Sequence, residues 1–96
     1  MPKVSIVIPN YNGLKYIKTC MDALYRQTMK DVEILFVDNG STDGSSDYVK
    51  AHYPETVLIQ LAENTGFCGA VNVGIANAKA PYVLLLNFCG RAVSCH

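Results

Sequence analysis

Several things are missing from this sequence, and each absence removes a class of function. Eight basic residues are balanced by eight acidic ones, and the net charge is zero. No long basic run occurs, which excludes a dedicated nucleic-acid or membrane-surface binder, whose affinity rests on clustered Lys and Arg. No apolar stretch reaches the ~20 residues of a membrane-spanning helix. The opening Met1-Pro2-Lys3-Val4 leads straight into a strand and lacks the pattern of a secretory signal. A cytoplasmic location is therefore expected.

Cysteine and histidine are equally uninformative. Cys20, Cys68, Cys89 and Cys95 sit at irregular spacings, so a disulfide framework is not expected in a reducing compartment. Cys89, Cys95 and His96 match no standard zinc spacing; the four are read as incidental thiols. The two histidines, His52 and His96, lie at a helix end and at the terminus. Neither stands beside a Ser or Cys at a strand end, which excludes a Cys-His hydrolase. No Asp or Glu follows Glu63.

What remains is a small globular domain. With 96 residues, half of them apolar and 17% charged, the chain holds one core at most and is not of disordered composition. Val4–Ile8 is short, β-branched and ended by Pro9, as suits a strand buried on both faces. Asn12 is placed to cap a helix over 14–26, whose Ile17, Met21, Leu24 and Tyr25 form one apolar stripe. Strands are predicted over 32–37, 56–60 and 82–86, the last as a buried strand. Helices are predicted over 45–52, capped by Asp43, and over 70–79. Gly74 inside that helix costs about 1 kcal/mol against Ala, which points to a close packing contact.

The order βαβαβαβ needs right-handed crossovers and gives a mainly parallel sheet with helices on both faces, an α/β, Rossmann-like half-domain. Loops after the carboxyl ends of the strands then gather at one edge, the expected place for a ligand. Three of them are polar: 9–13, 38–44 and 63–69. Asp38, at the end of a buried strand, can accept a hydrogen bond from a ribose hydroxyl or a base N–H, or it can simply pin its own turn. Tyr11 offers a ring for stacking a base, or covers the core edge beside Tyr16; Asn10 and Asn12 suit a turn. Gly66–Gly69, before a helix, can turn backbone N–H groups toward a phosphate. The loop is neither a Walker loop nor a Gly-x-Gly-x-x-Gly turn after the first strand, so a nicotinamide-binding fragment ranks low.

Taken together, Val4-Ser5-Ile6-Val7-Ile8-Pro9-Asn10-Tyr11-Asn12-Gly13, Ile34-Leu35-Phe36-Val37-Asp38-Asn39-Gly40-Ser41-Thr42-Asp43-Gly44-Ser45, Glu63-Asn64-Thr65-Gly66-Phe67, Asn72-Val73-Gly74-Ile75 and Tyr82–Asn87 resemble the amino-terminal half of an inverting family 2 glycosyltransferase of the GT-A fold. The subgroup most resembled contains rhamnosyltransferase-like enzymes of surface polysaccharide synthesis. The resemblance implies a nucleoside diphosphate sugar as ligand. Pro9, Asn10, Tyr11, Asn12 and Asp38 would hold base and ribose, and the stretch with Asn64, Gly66 and Asn72 would line the diphosphate side. Val71 stands where the family often has Arg or Asn.

Asn87 matches the start of the family's Asp-x-Asp-like turn, whose carboxylate holds Mg²⁺ or Mn²⁺ against the diphosphate. Phe88-Cys89-Gly90 supplies no such acid, and Cys is a soft ligand for a hard cation. No metal bound by this chain is expected, and no catalytic residue is identified. Residues 1–87 thus read as a nucleotide-sugar-binding half and 88–96 as a non-family tail of out-of-frame or vector-derived origin. The expectation is a truncated glycosyltransferase that binds nucleotide weakly. A binding or dimerisation module using an exposed sheet edge is the alternative.

Overall fold

The computed structural model describes residues 3–27 and 31–86. Its elements are β1 (Val4–Asn10), α1 (Leu14–Gln27), β2 (Val32–Asn39), α2 (Ser45–His52), β3 (Val57–Leu61), α3 (Gly66–Asn77) and β4 (Tyr82–Leu85). The strands form one parallel sheet in the order β3-β2-β1-β4. From β1 the chain steps outward to β2 and β3, then α3 carries it back across β1 to β4. With right-handed crossovers, that reversal of direction places α3 on the face opposite α1 and α2. The α/β, Rossmann-like expectation holds.

Alternation along the strands divides the core between these faces. Ile6, Ile8, Ile34 and Phe36 pack with Ile17 and Met21 of α1 and Val49 of α2. Val7, Leu35 and Val37 face the other way, onto Ala70 of α3. Gly74 meets this second layer so closely that an added Cβ would lie 2.4 Å from Val7 Cγ1, which confirms the close contact expected of it. Alanine at 74 would gain about 1 kcal/mol in helix propensity. Overpacking against a stiff, β-branched neighbour costs about 1–3 kcal/mol. Gly74→Ala is therefore expected to destabilise by about 1 kcal/mol net, seen as a lower urea midpoint at unchanged slope.

Polar groups under the sheet are accounted for as well. Ser5, fully buried, donates to Glu33 Oε2 at 2.7 Å and accepts from the Ala80 N–H at 3.2 Å. Glu33 Oε2 also accepts from the Lys79 N–H at 3.0 Å. The α3–β4 connection is thereby tied beneath β1 and β2, and its backbone donors are satisfied.

Several expectations need correction. β1 does not stop at Pro9 but runs through it to Asn10. Val7 accepts from the Leu86 N–H, so odd-numbered residues of β1 turn their polar groups toward β4. Described β4 ends before Pro9 needs a partner there, and the missing N–H of proline breaks no ladder bond. α3 begins at Gly66, four positions earlier than expected. Most consequentially, β4 is not buried: Tyr82 is 71% exposed and Leu84 54%. It is an edge strand, and α3 packs on β1 and β2 instead. Cys68 is disulfide-bonded, against its reading as an incidental thiol, while Cys20 is free. Asn87 and the tail 88–96 lie outside the described residues.

Candidate functional site

The carboxyl ends of β1 and β2 lie side by side, with Pro9 in register with Val37 and Asn10 with Asp38. Asp38 is 4% exposed and forms the hub of a side-chain network. Its Oδ1 accepts from Asn10 Nδ2 at 3.2 Å and from the Ser41 hydroxyl at 2.5 Å, and its Oδ2 accepts from the Ser46 hydroxyl. A buried carboxylate persists only with such partners. Ser41 Oγ in turn accepts from Asn10 Nδ2 at 3.2 Å and from the Asn12 N–H at 2.8 Å. Its hydroxyl is thus used as donor once and as acceptor twice, its full capacity.

Asn12 does not cap α1. It takes a left-handed conformation (φ 52°), and its Oδ1 accepts from the Thr42 N–H at 2.8 Å. The acceptor for the start of α1 comes from the neighbouring loop: Asp43 Oδ2 accepts from the Leu14 N–H at 3.0 Å. Asp43 Oδ1 meanwhile accepts from the Ser45 N–H at 3.0 Å and from the Ser45 hydroxyl. The cap position of α2 is held not by Asp43, as expected, but by Gly44, left-handed and without a side-chain cap bond; Asp43, one residue earlier, accepts from the first N–H of α2 and serves α1 as well.

Burial alone would raise the Asp43 pKa, but bonds from the Ser45 hydroxyl and from the Leu14 and Ser45 N–H groups outweigh it and hold the carboxyl below its ordinary 3.8. A depressed folded-state pKa contributes stability above the unfolded value, lost as pH falls through the folded one. Asn keeps one acceptor oxygen but turns an amide donor toward the N–H that the other oxygen served, so Asp43→Asn is expected to cost about 1–2 kcal/mol at neutral pH. Its urea midpoint should fall less steeply than that of the wild type on acidification through the ordinary value of 3.8.

Asn39 points to the opposite face of β2 and performs the same service for the third loop. Its Nδ2 donates to Asn64 Oδ1 and to the Gly66 carbonyl, both at 3.0 Å. Its Oδ1 accepts from the Thr65 N–H at 2.8 Å and the Thr65 hydroxyl at 3.0 Å. Asn64 Oδ1 also accepts from the Gly66 N–H at 2.8 Å. The Gly66 N–H, a candidate phosphate donor in the sequence, is therefore already engaged. Between the loops, Gly40 (φ 78°) approaches so closely that an added Cβ would lie 2.6 Å from the Glu63 carbonyl carbon.

Pro9, Asn10, Tyr11, Asn12 and Asp38 are thus gathered at one edge. Tyr11 is 52% exposed and belongs to neither core layer, so it does not cover the core edge. Asn64 and Gly66 form a separate cluster around Asn39. Asn72 is exposed on α3, about 9 Å along the helix from its first residue at 1.5 Å per residue, and joins neither cluster. Ser41, Ser46 and Asn39 were not singled out from the sequence. Ser41, three residues after Asp38 in a turn, follows a common local pattern; Ser46 and Asn39 are revealed only by the packing.

A cleft of about 630 Å³ opens at this edge, lined among others by Asp38, Gly40, Ser41, Ser46, Gln60 and Leu61. Another, of about 600 Å³, runs along α1 beside Lys18, Asp22 and Tyr25. There Lys18 and Asp22 form an exposed ion pair at 2.7 Å, and the Tyr53 hydroxyl donates to Asp22. Burial and Asp22 together push the Tyr53 pKa up. It lies apart from the strand ends. Among the described residues no His, Cys, Asp or Glu side chains gather as a metal site, and the oxygens of Asp38 and Asp43 are engaged as above. The described residues do not fit Mg²⁺ or Mn²⁺.

Comparison with known proteins agrees with this geometry. A poly(ribitol-phosphate) beta-glucosyltransferase of Bacillus spizizenii is 43% identical over 91 residues, covering 88% of this chain and 14% of that enzyme. The structure of the mannosyltransferase PcManGT from Pyrobaculum calidifontis, in complex with GDP-Man and Mn²⁺, superposes with a TM-score of 0.79 at 26% identity, covering 91% of this chain and 27% of that one. S. aureus TarS 1-349 in complex with UDP-GlcNAc gives 0.80 at 30% identity, covering 90% and 26%. The chain thus spans a small part of each protein it resembles. None of these three is named for rhamnosyl transfer. The profile described as Glycosyl transferase family 2 matches residues 5–87, and the chain belongs to that family.

Proposed function

We propose that this chain is the nucleotide-holding part of an inverting glycosyltransferase, and that it binds the nucleoside diphosphate of a sugar donor weakly without transferring the sugar. The observation that carries the reading is the Asp38 network. It welds the loops after β1 and β2 into one rigid edge beside an exposed Tyr11 and an open cleft. Transfer also needs an acceptor-side base and stabilisation of the leaving diphosphate, and the described residues offer neither. The family match ends at residue 87, and we take 88–96 as sequence from outside the family. Reading the encoding DNA in all three frames tests that.

The test of function is a calorimetric titration of the chain with UDP, dTDP and GDP, alongside a transfer assay with their sugars and Mg²⁺ or Mn²⁺. Millimolar-range binding without turnover is expected. Metal-dependent transfer by the pure chain would contradict the second half of the reading, and no binding by the folded chain the first.

One observation favours a second role. Tyr82, Val83, Leu84 and Leu85 are all exposed on an edge strand, and such an edge is a template for pairing with another strand. A second copy joined edge to edge through β4 would cover it. Light scattering across concentrations decides the matter, since a monomer throughout removes the dimer.

A further inference from the structure

We propose that Asn12–Gly13 is a site of spontaneous chemical modification, at which the Asn12 amide is lost as ammonia and replaced by aspartate or isoaspartate. The fold shields the same dipeptide at Asn39–Gly40. Asn-Gly occurs in the sequence at these two places alone. Glycine after asparagine leaves the peptide nitrogen open to approach, since no Cβ stands in the way. In the reaction the Gly13 nitrogen gives its proton to hydroxide and attacks Asn12 Cγ, closing a cyclic imide; the amide nitrogen leaves as ammonia, protonated by water. Water then opens the ring at Cγ to give aspartate, or at the main-chain carbonyl to give isoaspartate. Water and hydroxide are the only other reactants.

The two sites are held very differently. Asn39 is buried and lies within β2, in register with Leu61 of β3. Both ends of its amide are engaged, Nδ2 with Asn64 Oδ1 and the Gly66 carbonyl, and Oδ1 with the Thr65 N–H and hydroxyl. Ring closure requires the amide to swing onto the next nitrogen, and all of these bonds would break in a place that water does not reach. Gly40, which carries that nitrogen, is pressed against the Glu63 and Asn64 backbone.

Asn12 is exposed and lies between the end of β1 and the start of α1, in neither element. Its N–H donates to Ser41 Oγ and its Oδ1 accepts from the Thr42 N–H, each at 2.8 Å and each open to water. Gly13 is buried, so the loop has to open for base to reach its nitrogen. That opening exchanges two exposed bonds for bonds to water, which costs little. It also releases Asn12 from a left-handed conformation (φ 52°) that is unfavourable for any residue but glycine. While it lasts, the Thr42 bond draws electrons from the Asn12 carbonyl and sharpens Cγ as the point of attack. Either product adds a negative charge beside Asp38 and Asp43. Isoaspartate also lengthens the main chain by one carbon where Asn12 joins the first loop to Ser41 and Thr42. On the nucleotide reading above, both changes oppose a diphosphate, so the site is one that ages.

The test is a timed incubation of the full chain in mildly alkaline ¹⁸O-water, once folded and once in guanidinium chloride, followed by trypsin digestion and fragment mass spectrometry. Cleavage after lysine places the two sites in separate peptides, 4–15 and 31–50. Heavy oxygen in the product separates conversion during incubation from amide loss during digestion. In the folded chain Asn12 is expected to convert at least about tenfold faster than Asn39. In the denatured chain the two rates should agree within about twofold. Equal rates in the folded chain overturn the proposal, as does an Asn12 that stays intact while the denatured chain converts. Gly13→Ala should slow conversion at Asn12 at least about tenfold in guanidinium chloride, where folding plays no part. An unchanged rate in that variant rules out the imide route. None of these readings depends on nucleotide binding, so failure of the nucleotide reading leaves them intact.

Discussion

Replacing Gly40 by alanine should cost about 2–5 kcal/mol, adding a left-handed backbone penalty of about 1–2 kcal/mol to an overpacking cost of about 1–3 kcal/mol. Gly40 has φ 78°, and a Cβ there would lie 2.6 Å from the Glu63 carbonyl carbon and 2.7 Å from the Asn64 nitrogen. Backbone atoms cannot rotate aside as a side chain can. One of the two loops has to move, and both are anchored: the second through Ser41 and Asp43, the third through Asn39. Gly44 supplies the control. Its φ of 88° is equally left-handed, yet nothing lies within 4 Å of its added Cβ, so Gly44→Ala should lose only the backbone term. Urea denaturation of the two variants separates clash from conformational strain. Equal losses at both positions would mean that the loops do not touch as described. A domain of ordinary stability, about 5–15 kcal/mol, survives the Gly44 change comfortably and the Gly40 change narrowly.

How much of this was legible in the sequence depended on whether a signal was local. The bounds of α2 follow from a polar, glycine-rich turn ahead of Ser45 and a proline after it, and the structure gives Ser45–His52. Gly74 announced its close contact because a helix-interior glycine is unfavourable without a reason. By contrast, Gly66-Phe67-Cys68-Gly69 has poor helix propensity and reads as a loop. It becomes the first turn of α3 because Asn39, far away in the chain, holds Thr65, while Asn64 holds the Gly66 N–H. Asn12 has the right chemistry to cap α1, but Thr42 claims its oxygen and Asp43 takes over the task. For β4 the apolar run Tyr82–Leu85 indicated a strand correctly and burial wrongly. Hydrophobicity records that a strand has a neighbour to pack against, not which residues supply it. At the candidate site Asp38 stood out through its position after a buried strand. The network around it turns on which lone pairs are already occupied, and no sequence pattern contains that.

That network makes Asp38 the site of the second large effect. Asp38→Ala is expected to destabilise by about 2–3 kcal/mol and to abolish measurable nucleotide binding. Alanine would strand the Asn10 amide and two hydroxyls at once. Ser41 and Ser46 are only partly buried and regain water, which keeps the loss below the sum of three orphaned groups. Asn10 is buried and cannot. Asp38→Asn should be far milder, at about 1 kcal/mol or less. Its carbonyl can still accept from Asn10 and Ser41, and its new N–H can donate to Ser46 once that hydroxyl turns to act as acceptor. The contrast separates two accounts of the residue. If the carboxylate's charge served the ligand directly, Asn at 38 would impair nucleotide binding as severely as Ala while leaving stability nearly intact. If Asp38 acts by holding Asn10 and the two loops, binding should follow the network, surviving in Asn and failing in Ala. Chemical denaturation and a UDP titration on the same three proteins distinguish these outcomes.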